Sequence, residues 1–155
     1  PARVIGGIRP QNFDVAYRPD GVRFAFDSKT LNSRASLSKN YQNMINDLGT
    51  EAATVHTRFP SAIVAFMVAV PGPCLGAHGN NLLAALMRLC GRPISTGDLH
   101  KAEAIALVVW DPVTGKLENA WPPPGSALRV ERFSEQVEKY YYERFAGLPP
   151  HQQSE

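Results

Sequence analysis

Near the amino end, the hydrophobic positions follow the two-residue alternation that is typical of β-strands. The segments 13–18 and 22–29 are rich in aromatic and β-branched residues, and the Pro-Asp-Gly at 19–21 is a turn signal, so the pattern predicts a β-hairpin. Side chains alternate across a strand, so Asp27 and Lys29 should share one face. The even-numbered apolar residues should point the other way, into the core: Val22, Phe24 and Phe26.

The length of the turn determines which residues of the hairpin face each other. A two-residue or four-residue turn pairs Arg18 with Arg23 and, further along the ladder, Asp14 with Asp27, whereas a three-residue turn without a bulge sets Asp14 opposite Phe26. Like charges directly opposite one another destabilise a sheet. Two facing carboxylates with Lys29 two residues on therefore predict a site for a divalent cation rather than a purely structural arrangement. Lys29 is expected to matter far more for chemistry than for folding.

Beyond the hairpin, amphipathic helices alternate with continuous apolar runs. Helical spacing predicts helices over 38–57, 81–90 and 133–145, while the apolar runs at 62–70 and 104–110 predict strands that are covered on both faces. This order predicts an α/β fold, a mixed β-sheet with helices on both faces. The expected helix caps are Ser36 or Ser38, Asn80 and Ser134.

Asp14 together with the Asp27-Ser28-Lys29 tripeptide resembles the active site of the PD-(D/E)XK, or restriction-endonuclease-like, nucleases. The resemblance covers about residues 13–110 and implies a restriction-endonuclease-like core. Pro19-Asp20 looks superficially like the PD of the family, so Asp20 is the second candidate for the first acidic ligand. Many members carry a helix before the first strand that contributes another acid, whereas residues 1–12 contain no acid and too much Gly and Pro for a helix.

The resemblance implies an endonuclease, of the type II restriction kind, that hydrolyses DNA with Mg²⁺ or Mn²⁺. Asp14, Asp27 and the Ser28 carbonyl would hold the cation, and Lys29 would orient or deprotonate the attacking water. Restriction, repair and recombination all remain open as the process. The residues just after the catalytic strand are the expected DNA contacts: Arg34, Lys39, Asn40 and Asn43.

Two other functions stay open at this point. The same fold could serve as an interaction domain for nucleic acid or another subunit without chemistry, or as a nuclease specific for RNA or DNA junctions. The net charge of +2 permits a nucleic acid partner without arguing for it. Cutting both DNA strands would need two sites, which favours a homodimer or further subunits.

Composition and length predict one domain over residues 1–155. Residues 111–128 are expected to form a loop and 129–147 to contain the last helix, and the start at Pro1 suggests a removed initiator Met or a piece of a longer chain. Cys74 and Cys90 have no metal-ligand spacing and are expected to be free core thiols. No apolar stretch reaches membrane-spanning length, so a cytoplasmic location without membrane contact is expected.

Overall fold

The computed structural model describes residues 1–151, apart from the side chains of residues 34–36. Short 3₁₀ turns at Gly76–His78 and Val130–Arg132 precede its last two helices. The strands and α-helices of the described part are, in chain order, β1 (Ala2–Ile5), β2 (Pro10–Phe13), β3 (Val15–Tyr17), β4 (Phe24–Thr30), α1 (Arg34–Arg58), β5 (Ile63–Pro71), α2 (Gly72–Leu75), α3 (Gly79–Leu89), β6 (Ala104–Trp110) and α4 (Phe133–Phe145).

A four-stranded mixed sheet in the order β3-β4-β5-β6 forms the centre of the molecule. β3 runs antiparallel to β4, whereas β5 and β6 run parallel to it. Helix α1 packs near one face, where Glu51 contacts Lys29, and α4 near the other, where the Phe26 and Phe133 rings lie 5.9 Å apart. The predicted α/β class with a mixed sheet flanked by helices is confirmed.

The predicted hairpin register is also confirmed. Val15 pairs with Phe26 and Tyr17 pairs with Phe24, so the two partner numbers sum to 41 in each pair. Continued by one residue, this register sets Asp14 opposite Asp27. The ladder itself ends at Val15, however, and Asp14 occupies the junction between β2 and β3 rather than a strand position.

The prediction that Val22, Phe24 and Phe26 point into the core is confirmed for Val22 but was wrong for the two phenylalanines. Ala25 is fully buried and Asp27 is 8% exposed, whereas Phe24 and Phe26 on the opposite face are only half-buried. The reason is that α1 lies against the Asp27 face, and a helix that joins from later in the chain leaves no trace in the alternation of the strand itself. Asp27 and Lys29 therefore lie between the sheet and a helix.

A small hairpin made by β1 and β2 was not predicted from the sequence. Ala2 pairs with Phe13 and Ile5 with Pro10, and the turn docks on α1 through a bond from the Gly7 amide to the Thr54 carbonyl at 2.8 Å. A Cβ at Gly6 would lie 2.6 Å from the Thr54 carbonyl oxygen, so this close approach requires glycine. The hairpin packs because Val4 and Phe13 are buried.

The helix ends differ from the predicted caps. Helix α1 begins at Arg34, so Ser36 and Ser38 lie inside it, and the Ser36 side chain is outside the described residues. Helix α3 begins at Gly79 and α4 at Phe133, so Asn80 and Ser134 are likewise internal. The extra turns at 72–78 explain the α3 shift, because they carry the chain into the helix without a capping side chain.

Two further predictions concern cysteine and membranes. Cys74 and Cys90 are both unpaired and half-buried. Within residues 1–151, no helix combines the length and apolar character needed to cross a bilayer.

Candidate functional site

Asp14 and Ser28 meet at the edge of β4, where β3 ends. One Asp14 carboxylate oxygen accepts hydrogen bonds from the Ser28 amide at 2.9 Å and from the Ser28 hydroxyl at 2.6 Å. These two bonds hold the pKa of Asp14 below its usual value, with smaller contributions from Asp27 and Lys29. The exposed Asp14 is thus an ionised carboxylate beside Asp27, as the sequence-based site requires.

Lys29 lies between two carboxylates. Its Nζ is 2.6 Å from Asp27 Oδ2 and 2.9 Å from Glu51 Oε1. Burial lowers the pKa of Lys29, but its bonds to Asp27 and Glu51 outweigh that effect and raise the pKa overall. The ammonium is therefore charged at neutral pH and held in a defined position.

Glu51 is a site residue that the sequence analysis missed. It lies on α1 among the buried Leu48, Ala52 and Val55, and only 4% of its surface is exposed. Its Oε2 is buried and has no hydrogen-bond partner. Burial raises the pKa of Glu51, although Lys29 opposes the shift. An acid on the apolar stripe of an amphipathic helix is the sequence signal that would have identified it.

The oxygen ligands predicted from the sequence lie at the end of β4. Asp14 and Asp27 supply carboxylates, and the Ser28 carbonyl faces the Asp14 side of β4, because the amide and carbonyl of a strand residue point to the same edge. Mg²⁺ is commonly held by one or two carboxylates and keeps several waters, which an open site permits. Across residues 1–151, apart from side chains 34–36, no group of three or more His, Cys, Asp or Glu residues could hold a metal.

The second candidate ligand does not join this site. Both Asp20 oxygens bond the Arg23 guanidinium, at 2.8 and 2.6 Å, beyond the other end of β3. The predicted DNA contacts Lys39, Asn40 and Asn43 are exposed on the first half of α1, which begins shortly after β4. The Arg34 side chain lies outside the described residues.

Basic side chains lie around the β1–β2 hairpin, whose second strand ends one residue before Asp14. Arg18 donates to the Arg3 carbonyl at 2.7 Å, and Arg58 donates to the Ile5 carbonyl at 2.9 Å, which places both guanidinium groups along the outer edge of β1. Residues 1–13 contain no acid to offset them. We define the arginine surface as the four exposed residues Arg3, Arg9, Arg18 and Arg58.

A second group of charges lies at the amino ends of β5 and β6, where Glu103, Arg92 and His56 are fully buried and Arg144 is half-buried. Glu103 Oε1 accepts bonds from Arg92 at 3.0 Å and Arg144 at 2.7 Å. Its Oε2 accepts from the Val64 amide at 2.7 Å and lies 3.2 Å from His56 Nε2. His56, which the sequence places near the end of a helix, is thus a buried partner of Glu103 rather than an exposed residue that could reach phosphate.

The candidate site has an exposed part at the edge of β4, formed by Asp14 and Ser28, and a buried part beneath α1 that contains Asp27 and Glu51. A cavity of about 190 Å³ lies beside β6, lined in part by Trp121 and Arg129, and a groove follows Tyr141 and Tyr142 on α4. Neither is lined by Asp14, Asp27 or Lys29.

Comparison with known proteins assigns the chain to no family. No family model, no curated protein and no solved structure matches it. The function is therefore inferred from the geometry of the site.

Proposed function

We propose that this chain is a metal-dependent nuclease that hydrolyses phosphodiester bonds in DNA. The observation that carries the proposal is the meeting of Asp14, the Asp27-Ser28-Lys29 tripeptide and a buried glutamate at one edge of β4. The Lys29 ammonium contacts the carboxylates of Asp27 and Glu51, and a third carboxylate, that of Asp14, bonds the neighbouring Ser28. Asp14 and the tripeptide are the residues that carry the resemblance to PD-(D/E)XK nucleases, and Glu51 is an addition to them.

Different residues of the site would bind the cation and orient the attacking water. Asp14, Asp27 and the Ser28 carbonyl would bind Mg²⁺ or Mn²⁺, which supplies Lewis-acid stabilisation of charge on the scissile phosphate. The Lys29 ammonium orients the attacking water and offsets charge on the phosphorane oxygens. Water adds to phosphorus, the bond to the leaving sugar oxygen breaks, and the proton that water loses balances the one that the leaving oxygen gains. A base role for Lys29 has less support, because two carboxylates favour its charged form.

A polymeric substrate is favoured over a small molecule. Small-molecule sites are concave and enclose most of the ligand, whereas Asp14 and Ser28 lie exposed on an edge. The arginine surface, which leads along β2 into Asp14, offers a path for a phosphate backbone. RNA and DNA junctions carry the same phosphates, so parallel assays on duplex DNA, RNA and junctions would rank the substrates.

One observation favours a second candidate, an interaction domain without chemistry. Asp27 and Lys29 already form a 2.6 Å ion pair, which is what a structural role for both residues would produce. On that interpretation Asp14 is a cap for the Ser28 amide, and the arginine surface binds nucleic acid or another subunit.

The test is a plasmid-nicking assay with Mg²⁺ or Mn²⁺ on wild type, Asp27→Asn and Asp47→Asn. Asp47 is an exposed acid on α1 and is the matched control for loss of one negative charge. We expect cleavage by wild type and Asp47→Asn but none by Asp27→Asn. The melting temperature should rise with Mg²⁺ for wild type and the control only. Equal, metal-independent behaviour of all three proteins would favour the interaction domain.

Mapping the cleaved ends and measuring mass in solution would extend this result. Defined ends at a fixed sequence would favour restriction over repair or recombination. A dimer would provide the two sites that double-strand cutting needs.

A further inference from the structure

Glu51 is buried in a way that its contacts in the fold do not explain. Its Oε1 bonds Lys29 at 2.9 Å, while its Oε2 is buried without a hydrogen-bond partner in the part of the chain that the structure describes. A buried acceptor without a partner costs stability, and the neighbouring stripe positions Leu48 and Val55 are apolar. An apolar side chain at position 51 would fit the stripe without that cost, so the carboxylate points to a role beyond packing.

Asp27 faces a conflict when a divalent cation binds. Its Oδ2 is 2.6 Å from the Lys29 ammonium, which is a contact as short as charge-assisted hydrogen bonds become. A divalent cation bound to the same carboxylate repels that ammonium at close range. If Lys29 moves away from Asp27, the cation can bind that carboxylate. If Lys29 stays, the affinity for the cation is reduced.

We propose that Glu51 is the positioning residue that retains Lys29 when Asp27 binds the divalent cation, an inference that rests on the proposed function. The free Oε2 is the acceptor that the ammonium would gain as it leaves Asp27, so Glu51 replaces the contact that Lys29 loses. Glu51 acts through Lys29 and binds neither the substrate nor the cation. It keeps the lysine beside the scissile phosphate throughout the exchange.

The test is calorimetric titration of wild type and variants with Mn²⁺ or Mg²⁺ alone, without DNA. We expect Glu51→Gln to bind the cation about tenfold more weakly than wild type, or about 1.4 kcal/mol, because Lys29 then has Asp27 as its only anionic partner. Asp47→Asn, which removes one exposed charge from the same helix, should stay within about twofold. Glu51→Asp should fall between wild type and Glu51→Gln.

A Lys29→Met background separates positioning from a general charge effect. Without the ammonium, Glu51→Gln should leave cation binding unchanged, because nothing remains for Glu51 to retain. Equal weakening by Glu51→Gln with and without Lys29 would overturn the proposal and make Glu51 a ligand or a distant charge. Wild-type affinity in a folded Glu51→Gln protein would also overturn it.

These outcomes differ from a failure of the nuclease proposal. If wild type binds and cleaves while Glu51→Gln does the same, only the role of Glu51 is wrong. If wild type neither binds the cations nor cleaves nucleic acid, both proposals fall together.

Discussion

Glu51 and Glu103 are both buried glutamates that contact basic side chains, but they differ in how many hydrogen bonds their carboxylates accept. Glu103 is fully buried, and both of its oxygens are bonded, to Arg92, Arg144 and the Val64 amide, with His56 beside them. Glu51 is 4% exposed, yet one oxygen has a single partner, Lys29, and the other has none. One carboxylate is saturated with donors and the other is not.

The pKa values of Glu103 and Glu51 shift in opposite directions. Burial opposes the charge of Glu103, but bonds from His56, Arg144 and Val64 outweigh it and hold its pKa below the usual value. For Glu51 burial wins, and its pKa is raised. A fully bonded buried network is typical of a stabilising element, whereas a buried acid whose pKa is raised beside a single charged partner is typical of a functional site. The contrast supports a stabilising role for Glu103 and the proposed positioning role for Glu51.

The largest expected effect is on stability, from Glu103→Ala. Without this carboxylate, the Arg92 and Arg144 guanidinium groups lose the anionic partner that they share. This loss should lower the free energy of unfolding by about 3–5 kcal/mol. Urea denaturation would measure it. Glu51→Gln is the comparison and should change stability by no more than about 1 kcal/mol. Losses of equal size at the two positions would remove the distinction between them.

Stability should depend on pH through Glu103. Its folded pKa lies below the ordinary 4.5, so its ionisation stabilises the fold above that value, and the contribution is lost as the pH falls through the lower folded pKa. Urea denaturation between neutral pH and about pH 3 should therefore show a shallower decline for Glu103→Gln than for wild type. Parallel curves for the two proteins would mean that Glu103 does not carry this dependence.

Lys29→Ala should abolish nuclease activity and also cost some stability. A lysine at the end of an edge hairpin should contribute under about 1 kcal/mol, but here its removal leaves the buried Glu51 unpaired, which should cost about 1–3 kcal/mol. Adding Glu51→Gln should recover part of that loss, because no charge is then left unpaired. Simple additivity of the two changes would show that Lys29 and Glu51 are not coupled.

The smallest effect on the fold is expected at the arginine surface. In an Asp27→Asn background that cannot cleave, replacing Arg3 and Arg9 by Ala should weaken duplex binding on all sequences alike and reduce its salt dependence by about two phosphate contacts. Melting temperature should not change, because both side chains are exposed.

The alternative DNA contact surface is the start of α1, tested by replacing Arg34 and Lys39 together. That double variant should lose a similar number of phosphate contacts if DNA follows α1. The larger loss of binding identifies the path of the backbone. No loss from either pair would argue against DNA as the partner.

Local patterns in the sequence determined several features of this protein. The apolar run at 104–110 and the helical spacing at 133–145 predicted β6 and α4 with the bounds that they have. The turn signal at 19–21 predicted the hairpin, and a two-residue or four-residue turn predicted its register. Those features depend on residues near one another in the chain. The meeting of Asp14 with the tripeptide at 27–29 follows from that register.

Tertiary structure alone decided what surrounds those residues. Glu51 lies 22 residues from Lys29, and Glu103 lies 47 residues from His56, so no local pattern pairs them. The β1–β2 hairpin was missed because its short strands carry weak alternation and are held by docking on α1. Whether a buried acid is saturated or left with a free oxygen depends on donors that arrive from distant segments. The difference in hydrogen bonding between Glu103 and Glu51 could therefore be seen only in the folded structure.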